Sequence, residues 1–270
     1  VHDSSDRRDT IRDALAAGSA PFAVRGGRTG VVMAHGFAGT PINLRPWAEH
    51  LASAGHSVEL PLLRGHGTRW EDLEATRWSD WYQGVEAAFA DLRGRCDRVF
   101  VCGFSMGGAL ALHLAATHPD AVTGVVLVNP SVGTRSLGPR LLNRVPAIAR
   151  IKRTSHGIGG DVKKPGARTT GYDKVPVRAA YQLTRLWRTV RDELPRVVAP
   201  TLLYRSRVDH VVDGRSAELI RAGLRNAELR EHVLDDSFHI ATIDHDAEEI
   251  FAGSLEWMRT YGDTTHPGAA

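Results

Sequence analysis

Seven consecutive residues, Val101-Cys102-Gly103-Phe104-Ser105-Met106-Gly107, limit what this chain can fold into more than any other stretch. They end an apolar run of β type that starts at Arg98, and they open a helix-forming run from Gly108 to Ala116. A strand that turns into a helix within so few residues forces its apical residue into a strained backbone conformation. Only tiny neighbours leave room for that, and Gly103 and Gly107 supply them. The pattern predicts a buried strand, a helix packed behind it, and a Ser105 hydroxyl raised above the carboxyl edge of a sheet. There it faces the free N–H groups of the helix start. Ser105 is therefore the candidate nucleophile. A glycine-punctuated turn with an idle serine is the rival reading, and the strand and helix on either side weigh against it.

The rest of the chain fits around that unit. Gly30–Ala34, Val122–Val128 and Thr201–Arg205 are solid apolar runs of buried-strand type, with further strands expected at Phe22–Arg25, His56–Pro61 and Leu229–Leu234. Helices are expected over residues 8–18, 42–54 (closed by Gly55), 78–93, 213–224 and 246–261. Strands alternating with helices predict an α/β fold, a mostly parallel sheet covered by helices on both faces. The alternation lapses between Pro130 and Asp192, where there is no strand signal and two helix-like pieces flank Gly157-Ile158-Gly159-Gly160. This stretch is expected to be a helical cap (130–192) inserted into a core made of 1–129 and 193–270. Ligands bind beyond the carboxyl ends of such strands, so a cap inserted there would roof the site.

A serine hydroxyl needs a base to take its proton, and the base needs a third group to orient it. The expected chain order is serine, acid, histidine. Of the 13 histidines, His239 follows the last expected strand directly, in Asp235-Asp236-Ser237-Phe238-His239. His210, His245 and His266 also follow the serine, but His266 sits in a Pro/Gly tail and His245 starts a helix. Asp209, in the loop after the penultimate strand, is the candidate acid; nearby Asp213 reads as the N-cap of the following helix. Two backbone N–H donors are expected to face a developing oxyanion: Met106, next to the nucleophile, and Phe37 in the loop His35-Gly36-Phe37. His35 reads as a pin for that loop, and His66, between Gly65 and Gly67, as a partner for nearby backbone groups.

Several functions are excluded. A net charge of +3 does not argue for nucleic acid. No carboxylate or His-x-x-x-His cluster suggests a metal, and no Gly-x-Gly-x-x-Gly or P-loop suggests a nucleotide cofactor. Cys96 and Cys102 flank one strand about 20 Å apart, too far for a disulfide, and are expected to be reduced. No apolar run approaches the ~20 residues of a membrane span, and the polar N-terminus lacks a signal-peptide core. A cytoplasmic location is expected, with a processed start allowed by Val1 in place of Met. The charge is nonetheless uneven: from Arg135 to Arg168 there are nine basic residues and one acidic. Leu137, Leu141, Leu142, Val145, Ile148 and Ile151 lie among them at roughly helical spacing. A basic amphipathic segment of this kind is expected to make transient contact with lipid surfaces.

Five segments carry a family resemblance: His35-Gly36-Phe37-Ala38-Gly39-Thr40-Pro41, Leu63-Arg64-Gly65-His66-Gly67-Thr68, Gly103-Phe104-Ser105-Met106-Gly107-Gly108, Asp209-His210-Val211-Val212 and Ser237-Phe238-His239. On these the chain resembles the α/β-hydrolase family, most closely bacterial carboxylesterases and monoacylglycerol lipases. The resemblance implies an eight-stranded or slightly trimmed sheet, a cap, and cofactor-free hydrolysis of short-to-medium acyl esters, monoacylglycerols among them. It also implies substrate contacts in the cap. Ile158, Tyr172, Asp173, Lys174 and Pro176 resemble the bacterial lipase cap, and Thr169 aligns where that group places a glutamate for the glycerol head. Ile158, Thr169 and Asp173 are thus the candidate substrate-binding residues. The same fold also serves thioester, lactone and C–C bond hydrolysis, and ligand receptors without catalysis.

Overall fold

The computed structural model describes residues 19–145, 147, 153–157, 160–167 and 169–262. The helix expected over 8–18, together with Ile148, Ile151 and Ile158, lies outside the described residues. In chain order the elements begin with β1 (Phe22–Val24), β2 (Thr29–Ala34), α1 (Arg45–Ser53), β3 (Ser57–Leu60), α2 (Trp70–Glu74), α3 (Trp78–Arg93), β4 (Arg98–Phe104), α4 (Met106–Thr117) and β5 (Gly124–Val128). They continue with α5 (Leu137–Arg144), β6 (Thr154–His156), β7 (Lys174–Pro176), α6 (Val177–Glu193), β8 (Thr201–Ser206), α7 (Arg215–Gly223), β9 (Leu229–Leu234) and α8 (Ala247–Gly262).

Seven strands form one sheet in the order β1-β3-β2-β4-β5-β8-β9. Only the edge strand β1 runs antiparallel, so the other six present their carboxyl ends along one edge. Side chains alternate across a strand, so each apolar run divides between two cores. Val32 and Ala34 join one cluster, with Phe89 of α3 and Leu110 of α4. Val31 and Met33 join the other, with Trp47 of α1 and Trp257 of α8. This explains why the central strands read as unbroken apolar runs: neither face meets water. Every residue of α4 from Met106 to Ala116 is buried, because α6 lies across its outer side.

The stretch between β5 and β8 departs from expectation in one respect. Two strands occur where none was expected: β6 and β7 pair antiparallel, with Ser155 opposite Val175. Each has three residues and no apolar run, so their pairing is set by contact between remote segments rather than by local pattern. The helix α2 was likewise not signalled, being too short to show a period. Of the inserted helices, α6 contributes Leu186 and Val190 to the larger core. By contrast, α5 leaves Leu137 and Leu141 exposed. Gly55 follows α1 with φ of 92°, as a left-handed helix stop requires. Cys96 and Cys102 are free and buried. Among the described residues, no helix is long and apolar enough to cross a membrane.

Candidate active site

Parallel strands deliver the candidate residues to one edge. Ser105 follows the last residue of β4, Asp209 lies in the loop after β8, His239 in the loop after β9, and His35-Gly36-Phe37 directly after β2. Ser105 has φ of 54°, in the left-handed region that a side chain rarely occupies. The turn is tight enough to demand glycines on both sides. A Cβ at Gly103 would stand 2.3 Å from the Gly107 carbonyl oxygen, and one at Gly107 would stand 1.9 Å from that of Ala34.

The structure brings three of the expected side chains together. His239 Nε2 is 3.1 Å from Ser105 Oγ, and His239 Nδ1 is 2.8 Å from Asp209 Oδ2. An ionised carboxylate can only accept, so Nδ1 carries the ring proton and Nε2 offers its lone pair to the serine hydroxyl. The other carboxylate oxygen of Asp209 accepts the N–H groups of Val211 (2.8 Å) and Val212 (2.7 Å), which fixes its plane. Both His239 and Ser105 are buried. This water-poor setting strengthens each of these contacts.

Met106 is the first residue of α4, so its N–H has no partner within the helix and lies at the positive end of the helix dipole. Phe37 lines the same cavity as Ser105. His35 holds that loop in place: its Nε2 accepts the Leu63 N–H at 3.1 Å, so its Nδ1 proton goes to the Gly36 carbonyl at 2.9 Å. Burial pushes the His35 ring down to about 4, which keeps it neutral. His66 packs edge-on against His35 and Trp81 and bonds the Arg64 carbonyl at 3.2 Å, and burial pushes it down to about 3.

Above Ser105 lies a cavity of about 440 Å³, with Leu142, Leu183, Trp187 and Val212 in its apolar wall. Thr170 and Tyr172 line it as well. Thr170 Oγ1 meets Thr40 Oγ1 at 2.5 Å, and Tyr172 donates to the Gly65 carbonyl at 2.8 Å. The two expected substrate contacts next to them are placed differently. Thr169 does not line the cavity, and Asp173 is exposed, its carbonyl accepting the Gly157 N–H. No group of three His, Cys, Asp or Glu side chains among the described residues could hold a metal.

Three polar side chains around the site carried no sequence signal. Asp161, in the stretch before β7, accepts the N–H groups of His239 and His210 (3.2 Å each) and bonds the His210 ring at 2.8 Å. Asp244 accepts Lys163 N–H (2.7 Å), Phe238 N–H (3.0 Å), Lys164 N–H (2.8 Å) and His245 N–H (2.9 Å). Together they bolt residues 161–164 to the His239 loop. The third is Asn129, just after β5. The N-cap of α7 is Gly214 rather than Asp213, which lies one residue earlier; Asp213 still accepts Arg215 N–H at the helix start through one oxygen and takes Thr134 and Arg135 through the other.

A family model described as serine aminopeptidase, S33 matches residues 27–158. A thermostable monoacylglycerol lipase from Bacillus sp. (strain H-257) is 39% identical over 242 residues, covering 90% of this chain and 95% of the relative. A carboxylesterase from Bacillus subtilis (strain 168) is 25% identical, covering 88% and 95%. Among solved structures, one described under LipS and LipT, two metagenome-derived lipolytic enzymes, superposes with a TM-score of 0.85 at 36% identity, covering 90% of this chain and 98% of that one. With this sheet order, this strained serine turn and relatives that align along nearly their whole length, the chain belongs to the α/β-hydrolase family.

Proposed function

We propose that the protein is a serine carboxylic-ester hydrolase that cleaves monoacylglycerols and comparable short-to-medium acyl esters. The observation that carries the reading is the unbroken relay from Ser105 Oγ through the His239 ring to Asp209, at 3.1 and 2.8 Å, under a mainly apolar cavity. Ester hydrolysis itself fits the kinship with esterases and lipases.

In this mechanism Ser105 Oγ attacks the ester carbonyl carbon as its proton passes to His239 Nε2. The carbonyl oxygen becomes an oxyanion, received by the N–H groups of Phe37 and Met106; each such donor contributes ~3 kcal/mol to the transition state. Collapse breaks the bond to the alcohol, which leaves with the His239 proton. Water then enters, gives a proton to the same ring, and attacks the acyl-serine. Release of the acid returns the proton to Ser105. Asp209 stabilises the imidazolium in both halves without taking its proton. The acyl chain lies along Leu142, Leu183 and Trp187. The alcohol faces the wall that holds Thr170 and Tyr172.

The insertion between β5 and β8 acts as the cap. On α5, Leu137 and Leu141 are 78% and 53% exposed, beside the exposed Arg140 and Arg144. That face suits brief contact with an anionic lipid surface that delivers substrate. Co-sedimentation tests this: stronger binding to anionic than to neutral vesicles supports it, and equal binding removes the electrostatic part.

The decisive substitution is Ser105→Ala, assayed on p-nitrophenyl butyrate and on a monoacylglycerol. Turnover should fall by about 10⁶-fold with the fold intact. Retained turnover would refute the assignment, and cleavage of thioesters or lactones in preference to glycerides would redirect the substrate class.

A further inference from the structure

Asn129 is buried just after β5 with φ of 44°, one of three non-glycine residues among those described, with Ala38 and Ser105, held in the left-handed region. We propose that it is a positioning residue that keeps the acid and histidine loops in register with the nucleophile. The inference rests on the Ser105, Asp209 and His239 reading above.

The geometry has two halves. On one side, residues 128–131 grip the serine turn from both flanks: the Val128 carbonyl accepts Ser105 N–H at 3.0 Å, and Ser131 N–H donates to the Ser105 carbonyl at 2.9 Å. On the other side, the Asn129 carboxamide reaches both partner loops. Its Nδ2 donates to the His239 carbonyl at 2.8 Å and to Ser206 Oγ at 2.9 Å. Its Oδ1 accepts Ser206 N–H at 2.7 Å. Ser206 Oγ in turn donates to the Phe238 carbonyl at 2.8 Å. Ser206 closes β8, directly ahead of the loop that carries Asp209. One side chain thus bonds the main chain of the histidine itself and the root of the acid loop, while Val128 and Ser131 on either side of it hold the nucleophile and its own N–H donates to the Tyr204 carbonyl at 2.9 Å.

The chemistry selects asparagine. Ser206 N–H can only donate and the His239 carbonyl can only accept, so the partner must do both, and its amide has one workable orientation. Aspartate cannot donate when ionised. Asparagine also tolerates the left-handed conformation better than other side chains do. Asn129 does not touch the substrate in this account; it acts through His239 and Asp209. Small displacements of such groups are expensive, since a shift of about 1 Å can cost a hundredfold in rate.

Two variants separate positioning from folding. Asn129→Gly keeps the left-handed backbone and deletes the amide; Asn129→Asp keeps the shape and replaces the donor with an acceptor. Wild type and variants are compared, well below their melting temperatures, in kcat and KM on p-nitrophenyl butyrate, the pH profile of kcat/KM, and the rate of inactivation by a fluorophosphonate. Expected are losses of about a hundredfold in kcat and in inactivation rate, little change in KM, a displaced acid limb in the pH profile, and labelling that still reaches completion. A purely structural role would lower the melting temperature and leave the rates of folded protein untouched; that result overturns the proposal. Variants that yield no folded protein also count against it, because they assign the amide to folding. Failure of the wild type to label at Ser105 would instead remove the underlying mechanism.

Discussion

Replacing Asp209 with asparagine tests the relay through a proton that cannot be seen directly. Val211 and Val212 N–H groups hold one oxygen of residue 209 at 2.8 and 2.7 Å. In Asp209→Asn those two donors still demand an oxygen on their side, so the new NH₂ must face His239 Nδ1. That group can only donate. The ring must then accept at Nδ1 and carry its proton on Nε2, the atom 3.1 Å from Ser105 Oγ. A ring already protonated there cannot take the serine proton. The expected loss is about 10⁴-fold in kcat, equivalent to about 5.5 kcal/mol of transition-state stabilisation. Shape and packing are conserved, so the melting temperature and KM should change little. Steady-state hydrolysis of p-nitrophenyl butyrate, with circular dichroism as the control, reads both quantities. A loss below about tenfold in folded protein would show that this carboxylate does not set the tautomer, and the reasoning would fail.

Three further outcomes are expected. Gly107→Ala would put a Cβ 1.9 Å from the Ala34 carbonyl oxygen, a backbone atom that cannot swing aside; urea denaturation should show a loss of at least about 2 kcal/mol, and an unchanged midpoint would contradict the turn geometry. Asp244→Ala strands four N–H groups on both sides of the join between residues 163–164 and the His239 loop; a cost of about 3 kcal/mol or more is expected, and a melting temperature equal to wild type would deny that this bolt matters. Stability should also fall with acid. His35 and His66 are held down to about 4 and 3 from 6.5, mainly by burial, so on acidification the unfolded chain binds protons that the native chain refuses. The stabilisation is whole above the unfolded value and is lost as pH falls through the window towards 4, by on the order of 3 kcal/mol per ring. Urea midpoints across that window should drop, and His66→Phe should flatten the slope; parallel slopes would count against it.

The candidate site was largely legible in the sequence because Ser105, Asp209 and His239, which the structure brings within hydrogen-bond distance, sit at punctuated strand ends. Gly103 and Gly107 announce the serine turn, the apolar run Thr201–Arg205 announces where the Asp209 loop must begin, and the last strand, Leu229–Leu234, announces the His239 loop. The helix α3 was legible to its ends because its apolar face repeats over several turns. What escaped lacks any period. Asn129, Asp161 and Asp244 are single polar residues whose meaning comes from partners far along the chain. The β6–β7 pair is too short to pattern, and its register depends on contact between distant segments. Thr169 and Asp173, expected at the substrate, do not line the cavity over Ser105, because a resemblance fixes a segment and cannot say which neighbour faces a cavity. Thr170 and Tyr172 do so here.

The most direct test of the account is to map where a fluorophosphonate attaches. The reagent reacts only with a serine whose proton has a base and whose oxyanion has donors waiting. Mass spectrometry of digested protein should find one adduct per chain, on Ser105, and His239→Ala should carry almost none over the same interval. An adduct on another residue, or a Ser105 that labels equally well without the imidazole, would contradict the relay on which the proposed reaction depends.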